Sequence, residues 1–449
     1  MPSFRYSLKM LTGMILISIV ILLAVSCREC PTEPKDPELY LTAPYVETSI
    51  VWLKVTSPDS TLRKSFIIQR DTVTILEASF LGRDTIIADR IVQPNTSYTY
   101  TVNYVKNGRI QDQSASVTVT TLDISSSDFT WEVFYFGEPV KDNLLKNVSI
   151  INENDIWVVG LITVWGWDSL DSEYDWVRYN ALHWNGNIWN LFSITPPYTG
   201  DYDVVYAIND SIAWFGVNYP VLLHKGRWIA CENAPRLGWM LDIWGNSLEN
   251  AFFTYYGGGI AHYDGTKFTV MNSGTLTDLR DIDGNDEKVY TVGCTGGSEN
   301  IILEYEYTKD EWKTLLTSHT VNGNLETGDM GQFYSVKVLD GVAVFTCAAM
   351  ATLKYYYQDG FYDAVPQKIT ILDDCWRVEI IDGNAINDLG FITIAGEIVH
   401  YNGKELLKCY DYELIHSHDI SILDGDYKDN IICAVGKAQG QGVVIIGRR

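Results

Sequence analysis

Positive charge is scarce in this chain of 449 residues: 33 lysines and arginines stand against 57 aspartates and glutamates, a formal charge of −24. That deficit opposes binding to nucleic acid and attraction to anionic lipid, both of which rest on basic patches. Helical periodicity is missing too. No long segment repeats its apolar residues at 3.6-residue spacing, and no strand–helix alternation builds a nucleotide-binding α/β domain. The eight cysteines form no small-domain disulfide framework. Catalytic signatures are equally absent: no Ser-His-Asp arrangement, phosphate-cradling glycine loop, His-Glu-x-x-His or sialidase-type Asp box. Among the many acids no pair suited to glycoside chemistry stands out. No metal set or cofactor is expected.

What the chain does have begins with one apolar run. Arg5 and Lys9 precede Met10–Leu23, which only Thr12, Gly13 and Ser18 interrupt, and small residues Ala24-Val25-Ser26 lead into Cys27. That is the layout of a signal peptide over residues 1–26. A cysteine at the cleavage point resembles the lipobox of bacterial lipoproteins. The resemblance makes Cys27 the lipidated first residue, held to the membrane by its acyl chains. Removing residues 1–26 takes away two basic residues and no acid, so the remainder is still more negative. Residues 27–37 are Pro-rich and polar, a tether that reaches about 30 Å when extended. Cys27 and Cys30 make a C-x-x-C, but no βαβ pattern or second C-x-x-C supports a redox or metal reading. Cys347 and Cys433 lie in apolar runs and read as buried thiols. A Cys375–Cys409 bridge is left open.

Residues 38–122 alternate apolar and polar residues in short segments separated by turns, as in a β-sandwich. Val92-Gln-Pro94-Asn-Thr96-Ser-Tyr98-Thr-Tyr100 resembles the tyrosine corner of fibronectin type III domains, Trp52 their early core tryptophan and Ser114–Leu122 their last strand. The resemblance implies a corner hydroxyl bonded back to the chain, and a module that spaces or presents its neighbour.

Residues 123–449 carry a repeat. Its phrase reads His183-Trp-Asn-Gly-Asn-Ile-Trp189, His262-Tyr-Asp-Gly-Thr-Lys-Phe268 and His400-Tyr-Asn-Gly-Lys-Glu-Leu406. Shorter or degenerate copies occur at His224–Trp228, Glu306–Trp312 and Tyr357–Tyr362, and successive copies start 38 to 51 residues apart. Such a period in β-type residues predicts propeller blades. Seven strand–turn–strand openings are present, six of them followed by the phrase. The seventh ends at the C-terminus without a fourth strand, while Trp131-Glu-Val-Phe134 matches Trp189-Asn-Leu-Phe192 with no strands before it. Residues 129–136 are therefore expected to complete the last blade and remove the ring's free edges. The expected fold is all-β: a fibronectin type III-like sandwich followed by a seven-bladed β-propeller closed by an N-terminal strand.

Four candidate features then compete for function. The recurring His183, His224, His262 and His400 occupy equivalent places in separate blades, which reads as scaffold. His416-Ser-His418 could take a stray divalent ion, but the packed-strand reading is preferred. The Asp281–Asp286 segment looks like a calcium loop, yet lacks the distant glutamate of an EF-hand. With Asp382-Gly383-Asn384 and Asp424-Gly425-Asp426 it reads as hairpin-turn chemistry. The informative place is where the period stretches: Leu161–Asn180, read as a loop between the second and third strands of the first blade, holds Trp165, Trp167, Asp168, Asp171, Tyr174, Trp176 and Tyr179. Aromatic faces with carboxylates beside them suit a sugar or a peptide.

The whole layout, with Phe129–Gly137 and Asn154-Asp-Ile-Trp-Val-Val-Gly160, resembles a set of lipoproteins from the Bacteroidetes–Ignavibacteria lineage whose members often carry a glucosyltransferase name. The transferase chemistry has no support in these residues. The expectation is a cell-envelope protein, anchored through Cys27 at the outer membrane with its side open, whose propeller binds a glycan or an envelope protein. A carbohydrate-active propeller enzyme (a glycosidase or lyase, or the glucosyltransferase that the relatives' name implies) and a structural part of an envelope assembly are the alternatives.

Overall fold

A computed structural model of the chain describes residues 38–168, 173–195, 200–295, 299–318, 332–347, 351–365, 378–393, 396–410 and 420–449. These fall into two compact units: the first runs to Val46 and takes Ile50–Ile91 and Thr96–Thr120, and the second takes Glu47–Ser49, Val92–Asn95 and Thr121–Arg449.

The first unit has seven antiparallel strands: β1 (Tyr40–Val46), β2 (Val51–Thr56), β3 (Arg63–Arg70), β4 (Val73–Leu81), β5 (Asp84–Asp89), β6 (Ser97–Lys106) and β7 (Arg109–Thr120). They form one sheet in the order β1-β2-β5 and another in the order β4-β3-β6-β7. Alternation sends Val51, Leu53, Val55, Phe66, Ile68, Tyr100 and Val102 inward, and Trp52 is only 7% exposed. The hydroxyl contact expected in the 92–100 segment is not the one found. The buried Tyr100 hydroxyl donates 2.9 Å to the Asp89 carboxylate rather than to a backbone carbonyl, and Arg70 pairs with the same carboxylate at 2.8 Å.

The second unit is a ring of seven four-stranded antiparallel sheets. Six are built from consecutive strands. The seventh takes Ile420–Lys428, Ile431–Ala438 and Gln441–Arg448 from the C-terminus and is completed by β8 (Thr130–Phe136), in register from Gly442 opposite Phe136 to Arg448 opposite Thr130. The ring therefore closes as expected. The first blade comprises β9 (Leu144–Asn152), β10 (Asp155–Asp168), β11 (Glu173–Trp184) and β12 (Trp189–Phe192). It packs Ile150, Val158 and Leu182 against Val435, Val444 and Ile446 of the last blade, an apolar seam in which every named residue is at least 98% buried.

Two expectations need correction. Asp281, Asp283, Asp382, Asp424 and Asp426 are not turn residues; they lie on the innermost strands Leu279–Gly284, Val378–Ala385 and Ile420–Lys428. The glycines beside them serve close approach. An added Cβ would stand 2.4 Å from the Asp388 carbonyl at Gly383 and 2.1 Å from the Ile392 Cδ1 at Gly425. Nor do residues 162–168 and 173–179 form a loop: strand pairing continues from Ile162 opposite Tyr179 to Asp168 opposite Glu173.

Candidate functional site

Three of the four recurring histidines are held by the preceding strand of their own blade. His183 stacks on Trp157 at 4.1 Å and hydrogen-bonds Asp155 at 2.7 Å. His262 stacks on Phe252 at 4.3 Å and bonds Asn250 at 2.9 Å. His400, fully buried, bonds Asp388 at 2.7 Å and Ser127 at 2.6 Å. Each ring thus ties its strand to the preceding one, and among the described residues no group of three or more His, Cys, Asp or Glu side chains could hold a metal ion. His416, His418 and Cys375 lie outside the described residues, as does Cys27. Cys409 is a free thiol, raised to about 11 by burial.

The seven innermost strands enclose an axial cavity of about 760 Å³. Its wall carries Asp242, Asp281, Asp283, Asp382, Asp424 and Asp426 around Lys337, with Arg280 and Lys428 also among the lining residues. Period-2 alternation aims these side chains along the axis and toward the next blade. Asp424 and Asp426 accept the Val148 and Ile150 amides of the first blade at 2.9 and 2.6 Å. Asp281 and Asp283 accept those of Val336 and Val338 at 2.8 and 2.7 Å, and Asp242 accepts that of Ile282 at 3.0 Å. Asn147, Ser149 and Ser335 play the same part toward Val205, Ala207 and Ile381. Five of the seven blade junctions are thereby stapled by side-chain oxygen on main-chain N–H.

Burial governs the ionisation of this ring. It pushes the Asp424 carboxyl up to about 8, and that of Asp283 to about 6 against the pull of Lys337. Burial and the neighbouring Asp281 raise Asp242 well above the usual range; burial and Asp382 do the same to Asp426. In each pair the hydrogen bond between the two carboxyls adds to the rise of Asp242 and of Asp426. Burial would raise Asp382 as well, but Lys337, 2.5 Å away, and the hydrogen bond from Asp426 hold it low. The channel acids are thus committed to the framework, which explains how so acidic a wall closes on itself.

The aromatic residues lead elsewhere. β10 has 14 residues, whereas the second strand of every other blade has five to eight. Its surplus pairs with β11 as a two-stranded ribbon, because β9 follows β10 only to Leu161 and β12 follows β11 only from Ala181. Trp165 lies opposite Trp176 and Trp167 opposite Tyr174, so alternation puts all four on one face. The two pairs meet edge-to-face with centroids 5.2 and 5.6 Å apart. Trp165, Trp167 and Tyr174 remain 53%, 56% and 65% exposed, while the Lys141 ammonium sits 3.9 Å over the Trp176 ring. Tyr179 belongs to the other face and packs with Val164 against the seam between first and last blades. Asp168 ends β10 opposite Glu173, and Asp171 lies outside the described residues.

With ring, channel and ribbon described, the class is that of a β-propeller protein. The structure of YCF48 bound to D1 peptide matches 73% of this chain and 98% of its own, with a TM-score of 0.52 and 12% identity. YCF48 from Cyanidioschyzon merolae covers 71% of this chain and 98% of its own at a TM-score of 0.48 and 12% identity; the WD40 propeller domain of Doa1 covers 72% and 97% at 0.45 and 10%. No family model and no curated protein matches the chain. The likeness establishes the fold.

Proposed function

We propose that this is a lipid-anchored cell-envelope binding protein whose β10–β11 ribbon recognises a partner protein. One observation carries the reading: three large aromatic rings stay about half exposed or more on a single face of a ribbon that its own blade does not require. An unneeded extension with a contiguous apolar face is a mark of an interaction surface, and exposed Trp and Tyr are the residues that most often anchor one. Propellers commonly act as binding or scaffold modules, and YCF48 has been captured with a peptide. Carrying a protein partner over to this chain is part of the proposal, as are the outer-membrane location and the lipid on Cys27. A glycan is the second reading, favoured by the open faces of Trp165 and Trp167.

Replacing Trp165, Trp167 and Trp176 with alanine in the full chain tests it. Capture of envelope proteins and binding to a glycan array should show one partner class retained by the parent protein and lost by the triple variant, with little change in melting temperature. Equal retention by both proteins would remove the ribbon from recognition.

A further inference from the structure

The ribbon has an edge as well as a face. On the β10 side the main chain is engaged: Glu138 donates its N–H to the Thr163 carbonyl at 2.8 Å, and the Thr163 N–H reaches the Asn143 side chain at 2.6 Å. On the β11 side, among the described residues, no strand pairs with Glu173–Tyr179. The run Glu-Tyr-Asp-Trp-Val-Arg-Tyr contains no proline or lysine, and its charges are Glu173, Asp175 and Arg178. It spans about 23 Å at 3.3 Å per residue, enough for a short added strand. A ribbon of two strands is marginal alone, and a third strand would stabilise it.

The two faces flanking this edge differ in chemistry. Tyr174 and Trp176 stand on one, beside Trp165 and Trp167. Glu173 and Asp175, both exposed, stand on the other, with Val177 following. A strand laid along β11 sends alternate side chains to alternate faces, so it meets rings on one side and carboxylates on the other. We infer that the β11 edge takes an extended peptide segment of a partner protein in which large apolar residues alternate with lysine or arginine, added as a further strand of the ribbon. The negative charge of the whole chain favours the same partner in long-range approach. The inference rests on the ribbon being the recognition surface.

The test titrates the full chain with a fluorescein-labelled, end-capped peptide of alternating lysine and valine, long enough to cover residues 173–179. Three controls accompany it: the same composition in shuffled order, N-methylation of the valine amides only, and N-methylation of the lysine amides only. In an added strand one set of amides faces β11 and the other faces solvent. One methylated peptide should therefore lose binding while the other keeps it, and the shuffled peptide should bind weakly. Charge reversal at two exposed sites, E173K with D175K, should weaken the lysine peptide roughly ten-fold and leave the thermal melt unchanged.

No binding of the alternating peptide overturns the inference, as does equal binding of the shuffled peptide or of both methylated forms. Self-association lost in the charge-reversed variant would make a second copy of this chain the occupant instead. A glycan bound in place of any peptide would overturn it too. In each of these cases, loss of a ligand on replacing Trp165 and Trp167 would still support the ribbon as a binding surface; retention of every ligand by that variant would remove both readings.

Discussion

Asp424 shows how one side chain couples ring geometry to solution conditions. Its carboxyl accepts the Val148 amide across the junction of the last and first blades. Folded, it holds its proton up to about pH 8; unfolded, it ionises near its ordinary 3.8. Between those values the native state binds the extra proton, so this group's contribution is fully present below about pH 4 and is lost as pH rises through 8. D424N keeps an oxygen for the Val148 amide and removes the titration. Melting temperatures followed from pH 6 to 9 should thus fall less steeply in D424N than in the parent. D424A leaves the amide without its acceptor and should cost about 1–3 kcal/mol at any pH, measured by denaturant unfolding. These acids were visible in the sequence as Asp-x-Asp, but the glycines beside them argued for turns. The strand reading needed the neighbouring blade, whose amides and packed side chains explain both the aspartate and the glycine.

Among the elements, β8 was the most legible. Trp131-Glu-Val-Phe134 matched a fourth strand without its first three, and a last blade lacked its fourth strand; the structure joins them over seven residue pairs. V133P, opposite Ile445 in that ladder, should destabilise the propeller by about 3 kcal/mol and expose the apolar seam to a hydrophobic dye. A parent-like melt would mean that the closing strand contributes little. The ribbon was half legible. Its aromatic content marked 161–180, and Trp165-x-Trp167 with Tyr174-x-Trp176 already carried the period of a strand. The acids and the broken repeat argued for a loop instead. Tyr179 was grouped with the others only because the segment was read as a loop; on a strand, its odd spacing from Tyr174 and Trp176 sends it to the other face.

For the whole molecule, a repeated phrase identified the architecture because blade after blade turns tightly between its third and fourth strands, and in three of them a histidine bonds the strand before it. Repetition also hid function: a repeated residue serves each blade alike, and recognition is argued from the one blade that departs from its sisters. The proposed anchor has its own test. C27A should abolish acyl labelling of the chain and move it from the membrane fraction to the soluble fraction; unchanged fractionation would contradict anchoring through that cysteine.

The central claim is that the ribbon, and not the rest of the propeller surface, meets the partner. A photoreactive phenylalanine analogue placed at Trp167 in living cells tests it most directly, with the same analogue at Ile188, an exposed turn of the same blade, as control. A discrete cross-linked species from position 167 that is absent from position 188 is the predicted result. Cross-links from 188 with none from 167 would contradict it.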